Sequence, residues 1–247
     1  DLSVVTGDDF EFLRSLGVKF YTGLTGKHEL SYMHQLTPSK PNEGYDVSTA
    51  NASPLAVELA PEPYGTSQVW TKQALLTMPD ALKVGIIQEM QKANERKVVA
   101  DLMSAIQATD SSVAPTASGL TYGDMIKLTK INYNIGNCQF VTNNDVRVYL
   151  EQKPVNSTGI ALAWNSLNNT VAGRKANSTD TISSNNAIYG NFSFAAVGQW
   201  GQPELIQNPY TYDMSGKVRY TVYANYDTVV RNKYAFKYFS SDVSCGF

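Results

Sequence analysis

The sequence predicts an α+β fold, with strands and helices mixed along the chain and no βαβ regularity. Three observations lead there. From His28 to Leu76 the pattern is β-like and full of turn residues, and from Thr77 to Ala108 apolar residues recur at helical spacing. Beyond Glu204, alternating runs rich in tyrosine return. The 247 residues suit one large domain or two small ones, and are enough to build a core without disulfides or metals.

Taken in order, Asp8-Asp-Phe-Glu-Phe-Leu-Arg-Ser-Leu16 reads as a short helix that Asp8 can cap and Gly17 can end. Val18, Phe20 and Tyr21 form a short extended run. Leu30-Ser-Tyr32, Leu55-Ala-Val-Glu-Leu59 and Val69 to Leu76 alternate as strands, separated by the turn-rich stretches Pro38–Gly44 and Pro61–Gly65. A flap of this kind carries few large aliphatics, and two strands alone are marginal in water. It is therefore expected to lie on something else.

The strongest helix follows, with Thr77 as cap, Pro79 in the first turn and Asp80 at the positive end of the dipole. Leu82, Ile86, Met90, Ala93, Val98, Leu102 and Ala105 line one face. From Pro79 to Ala108 such a helix would reach about 45 Å, which predicts an elongated molecule. After a Ser/Ala/Pro-rich link over 110–119, Thr121-Tyr-Gly-Asp124 has the form of a capping box for a helix through Leu128. Gln139–Thr142 reads as a strand and Asn144–Leu150 as a helix. Residues 153–186 read mostly as loop, Ala187–Gly190 as a strand and Phe192–Val197 as a short helix. Glu204–Gln207, Val218–Tyr223, Thr228–Val230 and Ala235–Tyr238 complete a β-rich end.

Composition narrows the function. Charged residues are 17% of the chain, with 20 basic against 22 acidic and a net charge of -2, while Asn, Ser and Thr supply 60 residues. A neutral polar surface leans toward contact with other protein, and the balanced charge argues against a dedicated nucleic-acid binder. Apolar runs such as Ile160–Trp164 fall far short of the ~20 residues of a membrane span, so no membrane partner is expected. Asp1-Leu-Ser-Val-Val lacks the basic start and apolar stretch of a secretion signal, and reads as a processed or truncated start.

The chemistry-bearing residues are sparse. His28 and His34 are the two histidines, with no Cys/His cluster to make a metal site. No G-x-S-x-G, P-loop or G-x-G-x-x-G occurs. Cys138 falls in a predicted buried strand and reads as structural; with Cys245 it is expected to make two free thiols, the alternative being a single bridge. Asp8/Asp9 and Glu58/Glu62 read as solvated or capping carboxylates. No catalytic residue, metal ligand or cofactor is assigned, and the chain is expected not to be an enzyme. Five Asn-x-Ser/Thr sequons, at Asn51, Asn156, Asn168, Asn177 and Asn191, are close to what 19 asparagines in so Ser/Thr-rich a chain produce by chance. The 15 tyrosines say more: those between Tyr210 and Tyr238 suit a sheet with amphipathic faces, part of it turned toward a neighbouring subunit.

Several stretches, in order, resemble the major capsid proteins of tailed bacteriophages. Leu16-Gly-Val-Lys-Phe-Tyr-Thr-Gly-Leu-Thr-Gly26 is similar to the Gly-Leu-x-Gly lead-in before that family's extended loop. Val57-Glu-Leu-Ala-Pro61 with Val69-Trp-Thr-Lys-Gln-Ala-Leu-Leu76 resembles its returning arm and the entry to its spine helix. Ile188-Tyr-Gly-Asn-Phe192 followed by Glu204-Leu-Ile resembles its Gly-Asp-Phe step, and Ala235-Phe-Lys237 its terminal Ala-Phe.

The resemblance implies the phage capsid fold, shared with encapsulin compartments. It places an N-terminal arm and first P-domain piece at 1–26, an extended β-hairpin E-loop at 27–76 and the spine helix at 77–111. An α/β A-domain takes 112–200, the P-domain sheet 201–236, and a tail returning to the A-domain 237–247. It implies self-assembly through hexamers and pentamers into an icosahedral virion shell, built in the bacterial cytoplasm around double-stranded DNA that touches the subunits only diffusely. Scaffolding, portal and decoration proteins are the other implied partners. Tyr32, Lys40, Glu43, Tyr45 and Trp70 are the candidate inter-subunit contacts. Two departures matter. Lys40 matches an E-loop lysine, but no Glu follows Glu204 in the P-domain stretch and no Asn sits at the acceptor position, so no self-crosslinking is expected. Asn191 replaces the Asp of the Gly-Asp-Phe step, which keeps a capping side chain. An encapsulin-like shell is the near alternative, from which the Asp1 start tilts away. A secreted β-rich binding module, with a bridged Cys138–Cys245 and a monomeric state, is the distant one.

Overall fold

The computed structural model describes residues 8–33, 54–108, 112–113, 121–131, 137–155, 162–183 and 186–240. The expectations for His34, the Pro38–Gly44 turn, Lys40, Glu43, Tyr45 and Cys245 lie outside these residues.

Helix α1 (Asp8–Leu16) stops at Gly17, where φ is +88°. That left-handed step lets the Gly17 N–H donate to the Arg14 carbonyl (2.9 Å) and the Val18 N–H to the Leu13 carbonyl (3.1 Å). Strand β1 (Lys19–Thr22) follows, then the hairpin β2 (His28–Met33) and β3 (Pro54–Leu59), and the long strand β4 (Glu62–Thr71). Here the expectation of a strand from Val69 to Leu76 is corrected. The Thr71 hydroxyl accepts from the Ala74 N–H (3.1 Å) and opens a short helix, α2 (Lys72–Thr77). Pro79 ends it: the residue before a proline is pushed out of the α region, and Met78 sits at φ -76°, ψ 128°. The long helix α3 (Asp80–Gln107) therefore starts after Pro79, not at a Thr77 cap.

Strand β5 (Ser112–Val113) precedes α4 (Tyr122–Leu128), which has the expected capping box: the Asp124 N–H donates to Thr121 Oγ1, and the Thr121 N–H to Asp124 Oδ2. Strand β6 (Gln139–Asn143) and helix α5 (Asn144–Gln152) match their predictions. The stretch read as loop holds three short strands instead: β7 (Trp164–Asn165), β8 (Thr170–Val171) and β9 (Arg174–Thr179). Val171 and Arg174 pair across a two-residue turn, Ala172-Gly173, with φ of 51° and 73°. This is the twist a tight hairpin needs, but alanine in its first position gives no turn signal. After β10 (Asn186–Gly190) the predicted helix is a single 3-10 turn, Phe192–Phe194, on which Asn191 acts as the expected cap for the Ser193 N–H. Strands β11 (Ala195–Asn208), β12 (Lys217–Val230) and β13 (Phe236–Ser240) finish the described chain.

These elements build two main sheets. One has the order β1-β11-β12-β4, with α3 laid across it; the other runs β5-β13-β10-β6-β9-β8-β7 and carries α4 and α5. Glu62–Thr71 is paired with β12 over ten residues and belongs to the four-stranded sheet rather than to a free flap, because β12 offers it an open edge and its Trp70 a partner ring. β11 joins the same sheet from Ala195, and β13 crosses to the other.

A shared core binds α1 and α3 to both sheets through Phe10, Leu13, Val98, Leu102, Val197 and Phe236. A second core under α4 and α5 centres on Phe140, Trp164 and Tyr189. On α3, only Met90 onward is buried, and Leu82 is exposed: the first turns overhang the sheet. Polar residues replace part of the predicted apolar face. Asn94 donates from Nδ2 to the Val222 carbonyl (3.2 Å) and accepts at Oδ1 from the Thr66 hydroxyl (2.6 Å), and Gln91 Nε2 donates to Glu95 Oε1 and the Tyr226 hydroxyl oxygen.

Three tyrosines are held neutral by this packing. Burial is the main cause in each: Tyr226 and Tyr189 are pushed up to about 12, and Tyr64, whose hydroxyl also donates to Asp101, is raised further. A raised phenol keeps its proton in the folded state while the unfolded chain loses its own. Their contribution is thus complete below about pH 10 and is lost as pH rises through about 12. Urea unfolding across this range should show stability falling with pH, and Tyr226→Phe should make the fall shallower. A flat profile would contradict the burial argument.

Candidate inter-subunit surface

The hairpin of β2 and β3 forms a sheet of its own, with six antiparallel pairs from His28↔Leu59 to Met33↔Pro54. Its sequence explains how it attaches. Leu30 and the fully buried Leu59 are its two buried apolar residues among those described, and both enter a small cluster with Ala196 and Trp200, flanked by Tyr21, Leu24 and Val229. Gly198 makes room for this cluster: a Cβ there would meet the Trp200 ring at 2.9 Å and Leu24 at 3.2 Å. Outward along the hairpin, Glu29, Ser31, Ala56 and Glu58 are exposed. A Lys27–Glu58 ion pair at 2.5 Å lies on its surface, and it raises the Lys27 ammonium through the hydrogen bond and charge of Glu58. The hairpin is thus docked at its root, with exposed residues on both of its described strands.

Two backbone points at the root are held by side chains from the four-stranded sheet. Trp200 Nε1 donates to the Gly26 carbonyl (2.6 Å), and the Ala60 N–H donates to Asp227 Oδ2 (2.8 Å). Residue patterns did not single out either. The Gln199-Trp-Gly-Gln-Pro203 run, with its bulge between Trp200 and Glu204, was the available hint for the first; nothing marked Asp227.

Of the predicted contact residues, Tyr32 is half-buried and pairs with Leu55 near the outer end of the hairpin. Trp70 lies elsewhere: its ring packs 4.8 Å from that of Tyr220, leaving it 9% exposed. Lys40, Glu43 and Tyr45 are outside the described residues. The structure adds exposed apolar groups at the turn joining β11 to β12 and on α2: Tyr210 is 81% exposed, Leu76 87% and Met214 100%. The tyrosine-rich end divides, with Tyr226 in the core and Tyr210 in solvent. Cys138 is buried beside Tyr189, and burial pushes its thiol up, away from reactivity. Among the described residues, no group of three or more His, Cys, Asp or Glu side chains could hold a metal, and no helix is long and apolar enough to cross a membrane.

Among solved structures, the chain is similar to a capsid chain of a native GTA particle, with a TM-score of 0.75 and 12% identity over 97% of this chain and 92% of that one. It is also similar to a chain of Microbacterium phage Oxtober96 (TM-score 0.72, 8% identity, 98% and 93% covered) and one of Gordonia phage Cozz (0.67, 16%, 93% and 85%). No family model and no curated protein matches the sequence. The chain has the phage capsid fold, which its ordered motifs implied.

Proposed function

We propose that this chain is a structural capsid subunit that assembles with copies of itself into a closed virion shell, and that it performs no catalysis. The observation that carries this reading is the β2–β3 hairpin, which among its described residues is docked by two buried leucines at its root and exposes Glu29, Ser31, Ala56 and Glu58. Such a limb is stabilised when it lies across a neighbouring copy, and the near-complete overlap with capsid chains supports that use of it. The exposed Tyr210, Met214 and Leu76 provide a further surface for the same kind of contact. Tyr32, Lys40, Glu43 and Tyr45 are the hairpin-side residues proposed to touch the neighbour. DNA enclosed by the shell would meet a nearly neutral wall and be held by scattered Lys and Arg, in a salt-sensitive way.

Size-exclusion chromatography with negative-stain microscopy of the purified chain tests the reading. Rings of five or six, or closed shells, are expected. A uniform 27.1 kDa species at high concentration would overturn it.

A further inference from the structure

We propose that Trp200 and Asp227 are positioning residues which together fix the direction of the β2–β3 hairpin, and so set the curvature at which neighbouring copies join. The inference rests on the shell reading above and adds to it the means of angular control. The two residues stand on adjacent strands: Asp227 faces Gly198 across the β11–β12 ladder, and Trp200 faces Asn225. Each reaches a different leg. Trp200 holds Gly26, just before β2, and Asp227 holds Ala60, just after β3. The second carboxylate oxygen of Asp227 accepts from the Thr228 N–H at 2.7 Å, so the carboxylate is itself oriented by the strand that carries it.

One attachment point would leave a swivel; one on each leg removes it. The apolar root resists withdrawal but is not directional, since hydrophobic contact tolerates rotation. Hydrogen bonds to two fixed backbone atoms are directional. The lever arm makes this matter. Six residues of strand extend about 20 Å, so a tilt of ~10° at the root displaces the last pair by about 3.5 Å, enough to unseat packed side chains.

Trp200→Phe keeps an aromatic ring in the cluster but has no N–H for Gly26. Asp227→Asn leaves one oxygen to serve two N–H groups. Both variants of the full chain are compared with wild type by amide hydrogen exchange and by shell diameter in electron micrographs. The hairpin amides of 28–33 and 54–60 should exchange about tenfold faster while those of α3 keep their protection, and shells should spread in diameter or stay open. Wild-type exchange in the hairpin would overturn the proposal. So would parallel acceleration of α3, which would make these residues general supports of the fold, or wild-type diameters despite a loosened hairpin. If wild type itself forms no shell, the shell reading fails and curvature control with it, whereas the exchange data still decide whether the two residues clamp the hairpin.

Discussion

Alanine at Gly190 is expected to destabilise the unassembled chain by about 3 kcal/mol, lowering its melting temperature by roughly 6–12 °C. Gly190 ends β10, which lies between β13 and β6 inside the seven-stranded sheet. A Cβ there would lie 2.4 Å from a ring carbon of Phe236 and 2.6 Å from the Ala235 carbonyl oxygen. The ring is held in the shared core against Phe192, with centroids 5.4 Å apart, so it cannot swing away. The carbonyl is backbone and accepts from the Asn191 N–H at 3.1 Å. Either the ladder Gly190↔Phe236 opens or the core does. Gly85 supplies an internal control of opposite sign. It sits in α3 with nothing near its missing Cβ, and alanine there should stabilise by ~0.5–1 kcal/mol. Urea unfolding of both variants checks the pair. Equal effects would mean that crowding at Gly190 does not decide its identity.

Removal of the outer hairpin should separate assembly from stability. Ser31 and Ala56 are directly opposed, so deleting Tyr32–Leu55 and closing the gap with Asn-Gly gives a two-residue turn. Leu30 and Leu59 stay in place, and with them the root cluster. The unassembled chain should keep its stability to within about 1 kcal/mol, because the two leucines that dock the hairpin, Leu30 and Leu59, are retained. Shell yield should fall below about one percent of wild type, since every subunit loses the same contact and the losses compound around a closed shell. A drop in subunit stability matching the loss of shells would place the outer hairpin in the subunit's own core.

Local physics was readable wherever one residue type dictates one conformation. Gly17 stops α1, Thr121 and Asp124 cap α4, and Asn191 caps the turn after β10, each as the sequence predicted. The errors share a different cause. Whether Lys72–Leu76 continues a strand or opens a helix depends on a cap at Thr71 and a stop at Pro79, two signals that compete with alternation over too few residues to resolve. The predicted apolar stripe of α3 included Leu82 and Ala93, which are exposed, and omitted Gln91, Asn94 and Glu95, which are buried: the sheet offers Gln91 and Asn94 polar partners, and Gln91 donates to Glu95. The place of Trp70 is likewise set by tertiary pairing, since β4 pairs with β12 and the ring packs against Tyr220.

Taken by itself, the sequence determined the α+β class, the long helix, the order of parts and a hairpin poor in core, because periodicity, turn chemistry and composition are local properties. Tertiary structure alone decided which side chains hold the hairpin. Trp200 and Asp227 act on Gly26 and Ala60 across separations of 174 and 167 residues. No local pattern encodes such a meeting; it exists only once β11 and β12 lie side by side.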